Sequence, residues 1–350
     1  MRNTALVIGA SGIIGSRLAA HFSQRNDWNL IVASRRPPPA SERVRSVAVD
    51  LLDPNDCDSK LGALTDVTHV FYAALQDMKD KAAEVAPNLA MLTHAVNTLD
   101  RVAPNLKTIQ IMQGGKAYGA FLGPYKTPAK ESDPRHMPPN FYFDQEDFLK
   151  DRQAGKRWNW VALRPGIVGG ISFGNPMNLA AVIAVYAVIS RELGLPLRFP
   201  GTPEGYAALH QATDADLLAK AAEWTATRPE CANQIYNVTN GDYYRWEHLW
   251  PLFADDFGMK LAAPQTIRLT EFMPDKTRLW EKMVAKYGLS VPDYTRVASW
   301  GFGDAAFMRH WDSVSNVNKL RATGFQDWVD SEAMYLRIFR QMRELRIIPH

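Results

Sequence analysis

Three glycines near the start of the chain have a spacing that could bind a dinucleotide. Gly9, Gly12 and Gly15 directly follow the apolar run TALVI, in the sequence VIGASGIIG. The first glycine permits a tight turn, the second lets the backbone approach a pyrophosphate, and the third allows a helix to pack closely on a strand. Glycines also mark turns that bind nothing, but a strand before this loop and a helix after it favour a dinucleotide site.

The second predicted strand ends in basic residues, at a place where sites for NAD usually carry an acid. Ser34, Arg35 and Arg36 form the sequence SRR. An acid here would bind the ribose hydroxyls of the adenosine, whereas a basic residue suits a 2′-phosphate. Two arginines at a strand end can also be merely solvated. Because the glycine loop lies just before them, we predict NADPH as the cofactor, with Asp50 and Leu51 flanking its adenine.

A tyrosine and a lysine could supply proton chemistry. Tyr142 lies in the first turn of a predicted helix, PNFYFDQEDFL, which Asn140 can cap. Ordinary short-chain dehydrogenases have a lysine four residues after the catalytic tyrosine, but none of the twelve tyrosines here does, and Glu146 stands four residues after Tyr142. Lys116, in MQGGKAYG, follows the fifth predicted strand at the sheet edge where ligands bind. From the residues alone, a core tyrosine and a solvated lysine remain open alternatives.

Short apolar runs that alternate with helical patterns predict the elements that position these residues. The runs are hydrophobic on both faces, which is typical of strands buried in a parallel sheet with crossover helices. We therefore predict an α/β fold with a doubly wound parallel (Rossmann) sheet, forming a cofactor-binding domain over residues 1–170. The predicted strands are 4–8, 29–34, 44–50, 67–75, 106–113 and 158–165, and the predicted helices are 13–25, 81–102 and 141–155.

Helical patterns dominate the rest of the chain. We predict that residues 171–350 form a smaller, mostly helical substrate-binding lobe, interleaved with the first domain and packed over the carboxyl edge of the sheet. Two runs, LPLRFPG (195–201) and QIYNVTNG (234–241), resemble brief strands. The predicted helices are 176–193, 214–227, 246–257, 277–287 and 329–345.

Composition argues against several classes of protein. The 350 residues include 40 basic and 37 acidic ones, a formal charge of +3, without blocks of like charge, so neither nucleic acid nor a membrane surface is an expected partner. Cys57 and Cys231 lack CxxC spacing and the histidines are scattered, so no metal site is expected. No secretory signal is visible, and the longest apolar run (179–190) is too short for a bilayer, so we expect a cytoplasmic protein.

Several segments are similar to the progesterone 5β-reductase/iridoid synthase family, which are atypical short-chain dehydrogenases that reduce activated C=C bonds with NADPH. The similarity runs from the glycine loop to the last helices, and the N-V-x-N-G-D motif is specific. The segments are QGGKAYG, PNFYFDQEDFL, WNWVALRPGIVGG with PMNLAAVIAVYAVI, and YNVTNGDYYRWEHLWPLFADDFG.

The resemblance implies roles for individual residues. The family's catalytic lysine lies in a G-x-K-x-Y segment, which matches Lys116, and its catalytic tyrosine is the first of an N-F-Y-Y motif, which matches Tyr142. Tyr142 would then face the cofactor, and the lysine would come from a separate element. The positions that match residues lining NADPH in the family are Gly9, Ser11, Gly12, Ile13, Ile14, Gly15, Arg35, Asp50, Leu51, Ala73, Gln113, Ile167 and Met177.

Three positions depart from the family pattern. Phe143 replaces the second tyrosine of the motif, Ala117 stands where plant members commonly carry histidine, and Trp328 stands where they tend to have phenylalanine over the substrate. Phe143 and Trp328 are therefore assigned to the substrate pocket, and the departures put the plant substrates in doubt. Other aromatic residues that could line this pocket or belong to the core are Phe141, Phe173, Trp300 and Phe302.

The expected activity is 1,4-addition of hydride to an α,β-unsaturated ketone or aldehyde, with Tyr142 and Lys116 stabilising the enolate. The expected substrate is a small hydrophobic enone or enal, and the resemblance implies a homodimer. A 1,2-carbonyl reductase on the same scaffold and a non-enzymatic NADP(H) sensor are the alternatives. The missing Tyr-x-x-x-Lys sequence argues against a sugar-nucleotide epimerase.

Overall fold

The six predicted apolar runs form strands of a seven-stranded sheet. The computed structural model describes residues 2–172 and 177–350. The strand order in the large sheet is β10-β6-β5-β4-β1-β2-β3, and every neighbouring pair is parallel. The predicted doubly wound α/β sheet is confirmed. In chain order the strands are β1 (Asn3–Ile8), β2 (Trp28–Ser34), β3 (Val44–Ala48), β4 (His69–Tyr72), β5 (Thr108–Met112), β6 (Asn159–Pro165), β7 (Ile167–Gly169), β8 (Leu209–His210), β9 (Ala212–Asp214), β10 (Gln234–Val238) and β11 (Tyr244–Arg245).

Helices form at each of the predicted helical stretches, although the described part of the stretch 176–193 begins at residue 177. A short 3-10 helix, Gly115–Tyr118, follows β5. The helices are α1 (Ile13–Ser23), α2 (Pro54–Lys60), α3 (Val85–Val102), α4 (Phe141–Gln153), α5 (Leu179–Glu192), α6 (Pro203–Ala207), α7 (Ala215–Thr227), α8 (Trp246–Asp256), α9 (Leu269–Phe272), α10 (Thr277–Tyr287), α11 (Trp300–Phe307), α12 (Asn318–Ala322) and α13 (Ser331–Glu344).

The chain divides into two compact units. The first comprises Met1–Gly166, Asp216–Val238 and Asn316–Gln326, and the second comprises Ile167–Ala215, Thr239–Ser315 and Asp327–His350. The first unit contains the large sheet. Its seventh strand, β10, is the run QIYNV, which the sequence analysis had placed in the helical lobe; it belongs to the first unit because it pairs in parallel with β6.

The second unit is built around α5. All twelve residues from Leu179 to Ser190 are buried, so this apolar run is a core helix as predicted. Three fully buried aromatic side chains of α8, Trp246, Trp250 and Phe253, pack in the same core. Within the described residues, no helix combines the length and the apolar character that a membrane span requires.

The run LPLRFPG is not a strand, contrary to the prediction. It makes a single isolated bridge, from Leu197 to Leu261. Pro196 and Pro200 lack a backbone N–H and therefore cannot donate to a ladder of hydrogen bonds on either side of this bridge.

Candidate active site

The glycine loop joins β1 to α1 with no room for side chains at two of its three glycines. Gly9 has a left-handed φ of 84°, and a Cβ built on it would lie 2.7 Å from the carbonyl carbon of Ala73. A Cβ on Gly15 would lie 2.2 Å from the carbonyl oxygen of Gly9. On Gly12 the nearest atom would be 3.5 Å away, which is ordinary contact. Gly9 and Gly15 are thus needed for packing, whereas the protein's own packing does not require a glycine at position 12.

The first turn of α1 can receive an anion. Gly12 is its N-cap residue and provides no side-chain oxygen for the first N–H groups. Ile13 is buried, Ile14 is half-buried and Ser11 is exposed. Uncapped N–H groups and the positive end of the helix dipole favour a phosphate at such a terminus.

Polar groups without protein partners lie at the carboxyl end of β2. The Ser34 hydroxyl is buried, and no hydrogen-bond partner is found for it in the described chain. Arg35 and Arg36 are both exposed, and neither is part of an ion pair that the described residues show. These groups follow a strand adjacent to β1, so they lie at the same sheet edge as the glycine loop. They fit an anionic group of a dinucleotide.

The predicted adenine residues follow β3 at the same edge. Asp50 is exposed, and its carboxylate accepts a hydrogen bond of 3.0 Å from the backbone N–H of Leu52. Leu51 is buried, and its carbonyl oxygen lies 2.9 Å from Nδ1 of His94. Because β3 pairs in parallel with β2, this loop and the Ser34 loop are neighbours.

Tyr142 lies in the first turn of α4, which begins where the sequence predicts. The Asn140 side chain caps the helix by accepting a hydrogen bond of 3.1 Å from the Tyr142 N–H. Tyr142 is 9% exposed, and its hydroxyl has no hydrogen-bond partner among residues 2–172 and 177–350. That hydroxyl lies 3.8 Å from the position that a Cβ on Gly114 would take. The phenol therefore points to the backbone that follows β5.

The phenol of Tyr142 stays neutral at ordinary pH. Burial raises its pKa above the usual value for tyrosine, and the negative charge of Glu84 raises the pKa further. Arg164 lowers this pKa and Asp77 raises it, both by smaller amounts. A neutral phenol is a hydrogen-bond donor, so Tyr142 can stabilise an oxyanion.

Lys116 lies in the 3-10 helix after β5 and is joined to the start of α4. Its carbonyl oxygen accepts hydrogen bonds of 2.9 Å from Asn140 Nδ2 and 2.8 Å from His136 Nε2. Its ammonium lies 5.9 Å from the ring centroid of Phe141, whose ring in turn lies 4.6 Å from that of Tyr142. One carboxamide, that of Asn140, thus bonds to the backbone of both candidate residues. The structure brings Lys116 and Tyr142 together.

A buried polar network explains why no lysine follows Tyr142 at the fourth position. Glu146 occupies that place and pairs with Arg164 at 2.6 Å. Arg164 also donates to Gln113 Oε1 at 2.9 Å, and Gln113 donates through Nε2 to the Tyr142 carbonyl oxygen at 3.1 Å. Glu146 and Arg164 are 2% and 5% exposed at their side chains. The network therefore fixes the start of α4 against β5 and β6.

Two motif residues have structural roles. The Tyr118 hydroxyl of the G-x-K-x-Y segment donates a hydrogen bond of 2.5 Å to Asn237 Oδ1, and Asn237 Nδ2 donates to the Ala129 carbonyl at 3.1 Å. Burial raises the pKa of Tyr118 to about 12. Unlike the Tyr142 hydroxyl, the Tyr118 hydroxyl makes a hydrogen bond within the described part of the protein.

The remaining residues of the predicted site belong to α4 and to the second unit. Phe143 is buried, with its ring 5.1 Å from that of His136 and 4.8 Å from the guanidinium carbon of Arg135. Ile167, Met177 and Trp328 belong to the second unit, where Ile167 packs on the core and Trp328 is 70% exposed.

The remaining aromatic residues divide between the site and the core. Phe141 packs with Ala117 and Tyr142 in a small apolar cluster. Trp300 is buried in the core of the second unit, and Phe302 packs against that core. Phe173 lies outside the described residues.

The sequence did not indicate Glu84, a buried carboxylate 3.4 Å from Lys116, because a charged residue before a helix usually faces solvent.

The sheet, its glycine loop and the two-unit organisation define the class of extended Rossmann folds. UDP-glucose 4-epimerase from Thermotoga maritima superposes with a TM-score of 0.71 at 15% identity, over 97% of this chain and 99% of that one. RMD from Pseudomonas aeruginosa, complexed with NADPH, superposes with a TM-score of 0.67 at 18% identity, over 98% of each chain. At these identities the likeness establishes the fold alone.

Sequence comparison identifies the family. The model of the PRISE-like Rossmann-fold domain matches residues 5–349, so the chain belongs to this family of enzymes, as its sequence predicts. The short chain dehydrogenase gsfE of Penicillium aethiopicum is 32% identical over the whole of both chains. The (S)-8-oxocitronellyl enol synthase ISY1 of Nepeta racemosa is 32% identical over 99% of this chain and 93% of its own. The (S)-8-oxocitronellyl enol synthase of Catharanthus roseus is 31% identical over the same shares.

Proposed function

We propose that this chain is an NADPH-dependent reductase of activated C=C bonds, acting on α,β-unsaturated ketones or aldehydes. The observation that carries the proposal is the Tyr142 hydroxyl: its residue is 9% exposed, its phenol is kept protonated, it makes no hydrogen bond within the described residues, and it lies next to Gly114, at the sheet edge that also carries Lys116. A hydroxyl that makes no hydrogen bond inside the protein is available to donate one to a ligand.

The cofactor assignment rests on the fit of the residues at the sheet edge. The backbone at Gly12 and the N–H groups of the first turn of α1 would hold the pyrophosphate. The unpartnered Ser34 hydroxyl with Arg35 and Arg36 would bind a 2′-phosphate, which only NADPH carries. When bound, NADPH supplies a hydride from C4 of its nicotinamide.

Tyr142 and Lys116 would act on the carbonyl oxygen of the substrate. As the β-carbon gains a hydride, negative charge builds on that oxygen and gives an enolate. The neutral Tyr142 hydroxyl donates a hydrogen bond to it, and the half-buried ammonium of Lys116 adds a positive charge at the same sheet edge. A preorganised donor of this kind contributes about 3–4 kcal/mol in enzymes. Two of the relatives are named as enol synthases, and an enol is the protonated form of this intermediate.

The proposed substrate class is a small hydrophobic enone or enal. Tyr142 packs with Ala117 and Phe141 in an apolar cluster, which supports an apolar environment for the substrate. Ala117 and Phe143 stand where the plant family pattern has polar residues, so we expect a less polar pocket in this chain. We therefore propose a substrate with few polar groups besides its carbonyl.

The test is a screen for NADPH oxidation over small enones, steroid enones and unsaturated dialdehydes, with products identified by mass. The proposal expects a saturated ketone or aldehyde, formed by wild-type protein and lost in Tyr142→Phe. An allylic alcohol as the product would instead establish 1,2-carbonyl reduction. NADPH binding without turnover of any of these substrates would favour a non-enzymatic sensor.

A further inference from the structure

A buried carboxylate without an assigned role lies beside Lys116. Glu84 is the N-cap residue of α3, and its side chain is 2% exposed. Its Oε1 lies 3.4 Å from Lys116 Nζ, and its Oε2 lies 3.0 Å from Lys81 Nζ. An ionised carboxylate at this depth is costly unless cations neutralise it, and the two lysines do so.

We propose that Glu84 is a positioning residue that holds the Lys116 ammonium beside the Tyr142 phenol, which extends the Tyr–Lys pair to a Glu–Lys–Tyr arrangement. The inference rests on the function proposed above. Lysine has four rotatable side-chain bonds, and fixing them is entropically costly. Asn140 and His136 fix only the backbone of Lys116. In the described chain, Glu84 is the one ionic partner of its ammonium.

Glu84 also affects the phenol itself. The charged groups that act on Tyr142 are Glu84 and Asp77, which raise its pKa, and Arg164, which lowers it. Burial is the largest cause of the raised pKa. The carboxylate therefore adds to the effect of burial and opposes that of Arg164, so that Tyr142 remains a hydrogen-bond donor.

The experiment compares Glu84→Met, which removes the carboxylate, with Glu84→Gln, which keeps a neutral acceptor. The matched control is Asp100→Asn, because the Asp100 carboxylate is 6% exposed and pairs with two cations, Arg152 and Lys156. We expect kcat to fall about 10-fold in Glu84→Met and less in Glu84→Gln, since a hydrogen bond to a charged group is lost. Asp100→Asn should lower thermal stability without a comparable fall in kcat.

A double-mutant cycle separates positioning from a merely structural role. If Glu84 acts through Lys116, Glu84→Met will have no further effect on kcat in a Lys116→Met background. An equal loss with and without Lys116, or an unchanged kcat in Glu84→Met, overturns the proposal.

Crystal structures provide a readout that is independent of turnover. We expect an ordered Lys116 side chain directed at Glu84 in the wild type and a displaced or disordered one in Glu84→Met. An unmoved Lys116 ammonium in the variant overturns the proposal. If wild-type protein reduces no enone, or Lys116→Met leaves no measurable turnover, these structures decide the inference by themselves.

Discussion

Two tyrosines with opposite hydrogen-bonding states allow catalysis to be separated from stability. The Tyr142 hydroxyl has no hydrogen-bond partner among the described residues, whereas the Tyr118 hydroxyl donates a hydrogen bond of 2.5 Å to Asn237 Oδ1. Replacing either with phenylalanine removes one oxygen atom and leaves the ring in place. We expect Tyr142→Phe to abolish most turnover and Tyr118→Phe to weaken the fold.

The magnitudes follow from the contacts. Tyr142→Phe breaks no hydrogen bond within the described residues, so the free energy of unfolding should change by about 0.5 kcal/mol or less. Loss of an oxyanion donor should lower kcat about 10²- to 10³-fold. Tyr118→Phe leaves the buried Asn237 oxygen without its donor, which should cost about 1–3 kcal/mol of stability.

The assays are steady-state NADPH oxidation with an enone, thermal unfolding, and NADPH binding by fluorescence, all on the same three proteins. Cofactor affinity should be similar in wild type and Tyr142→Phe. Substantial turnover in Tyr142→Phe would remove the phenol from the mechanism. A large loss of stability in that variant would show that its hydroxyl has an internal partner after all.

Three further predictions concern the cofactor loop and pH. Replacing Arg35 and Arg36 with alanine should weaken NADPH binding by about 10-fold per arginine and leave NADH binding unchanged. Equal affinities of the wild type for NADPH and NADH would refute the assignment of these arginines to the 2′-phosphate. Gly15→Ala should be less stable than wild type, because its Cβ would meet the Gly9 carbonyl oxygen at 2.2 Å. Gly12→Ala should keep the stability of the wild type and lose affinity for the cofactor. Calorimetry measures the first effect and fluorescence titration with NADPH the second. Burial lowers the pKa of His69 to about 3. Between pH 6.5 and pH 3 the folded state therefore binds fewer protons at this residue than the unfolded chain does. Stability should fall as the pH decreases from 6.5, and His69 should account for a loss of about 2–3 kcal/mol at pH 4.5. Urea unfolding of wild type and His69→Gln over this range checks the sign, and identical pH slopes would contradict it.

The parallel sheet was predictable because each central strand is a continuous apolar run. β1 and β4 are buried on both faces, so their sequences carry the signal directly. The start of α4 was predictable because Asn140 is a good N-cap residue and its side chain does cap the helix. In contrast, α2 buries only Cys57 and begins with a proline, so it has no apolar period to detect.

The site could be predicted only where motifs carry it. Lys116 and Tyr142 are 26 positions apart, and their proximity depends on the Asn140 side chain bonding to both backbones. Glu84 is buried and pairs with Lys81 and Lys116, and the second of these lies 32 positions further along the chain. Periodicity reports which face of an element is apolar, and it carries no information on such distant polar pairs.

The most direct test of the proposed reaction is the fate of isotope from NADPH deuterated at both C4 positions. With a small enone as substrate, we expect a saturated carbonyl product that carries deuterium at the β-carbon. Deuterium at the former carbonyl carbon of an allylic alcohol would contradict it.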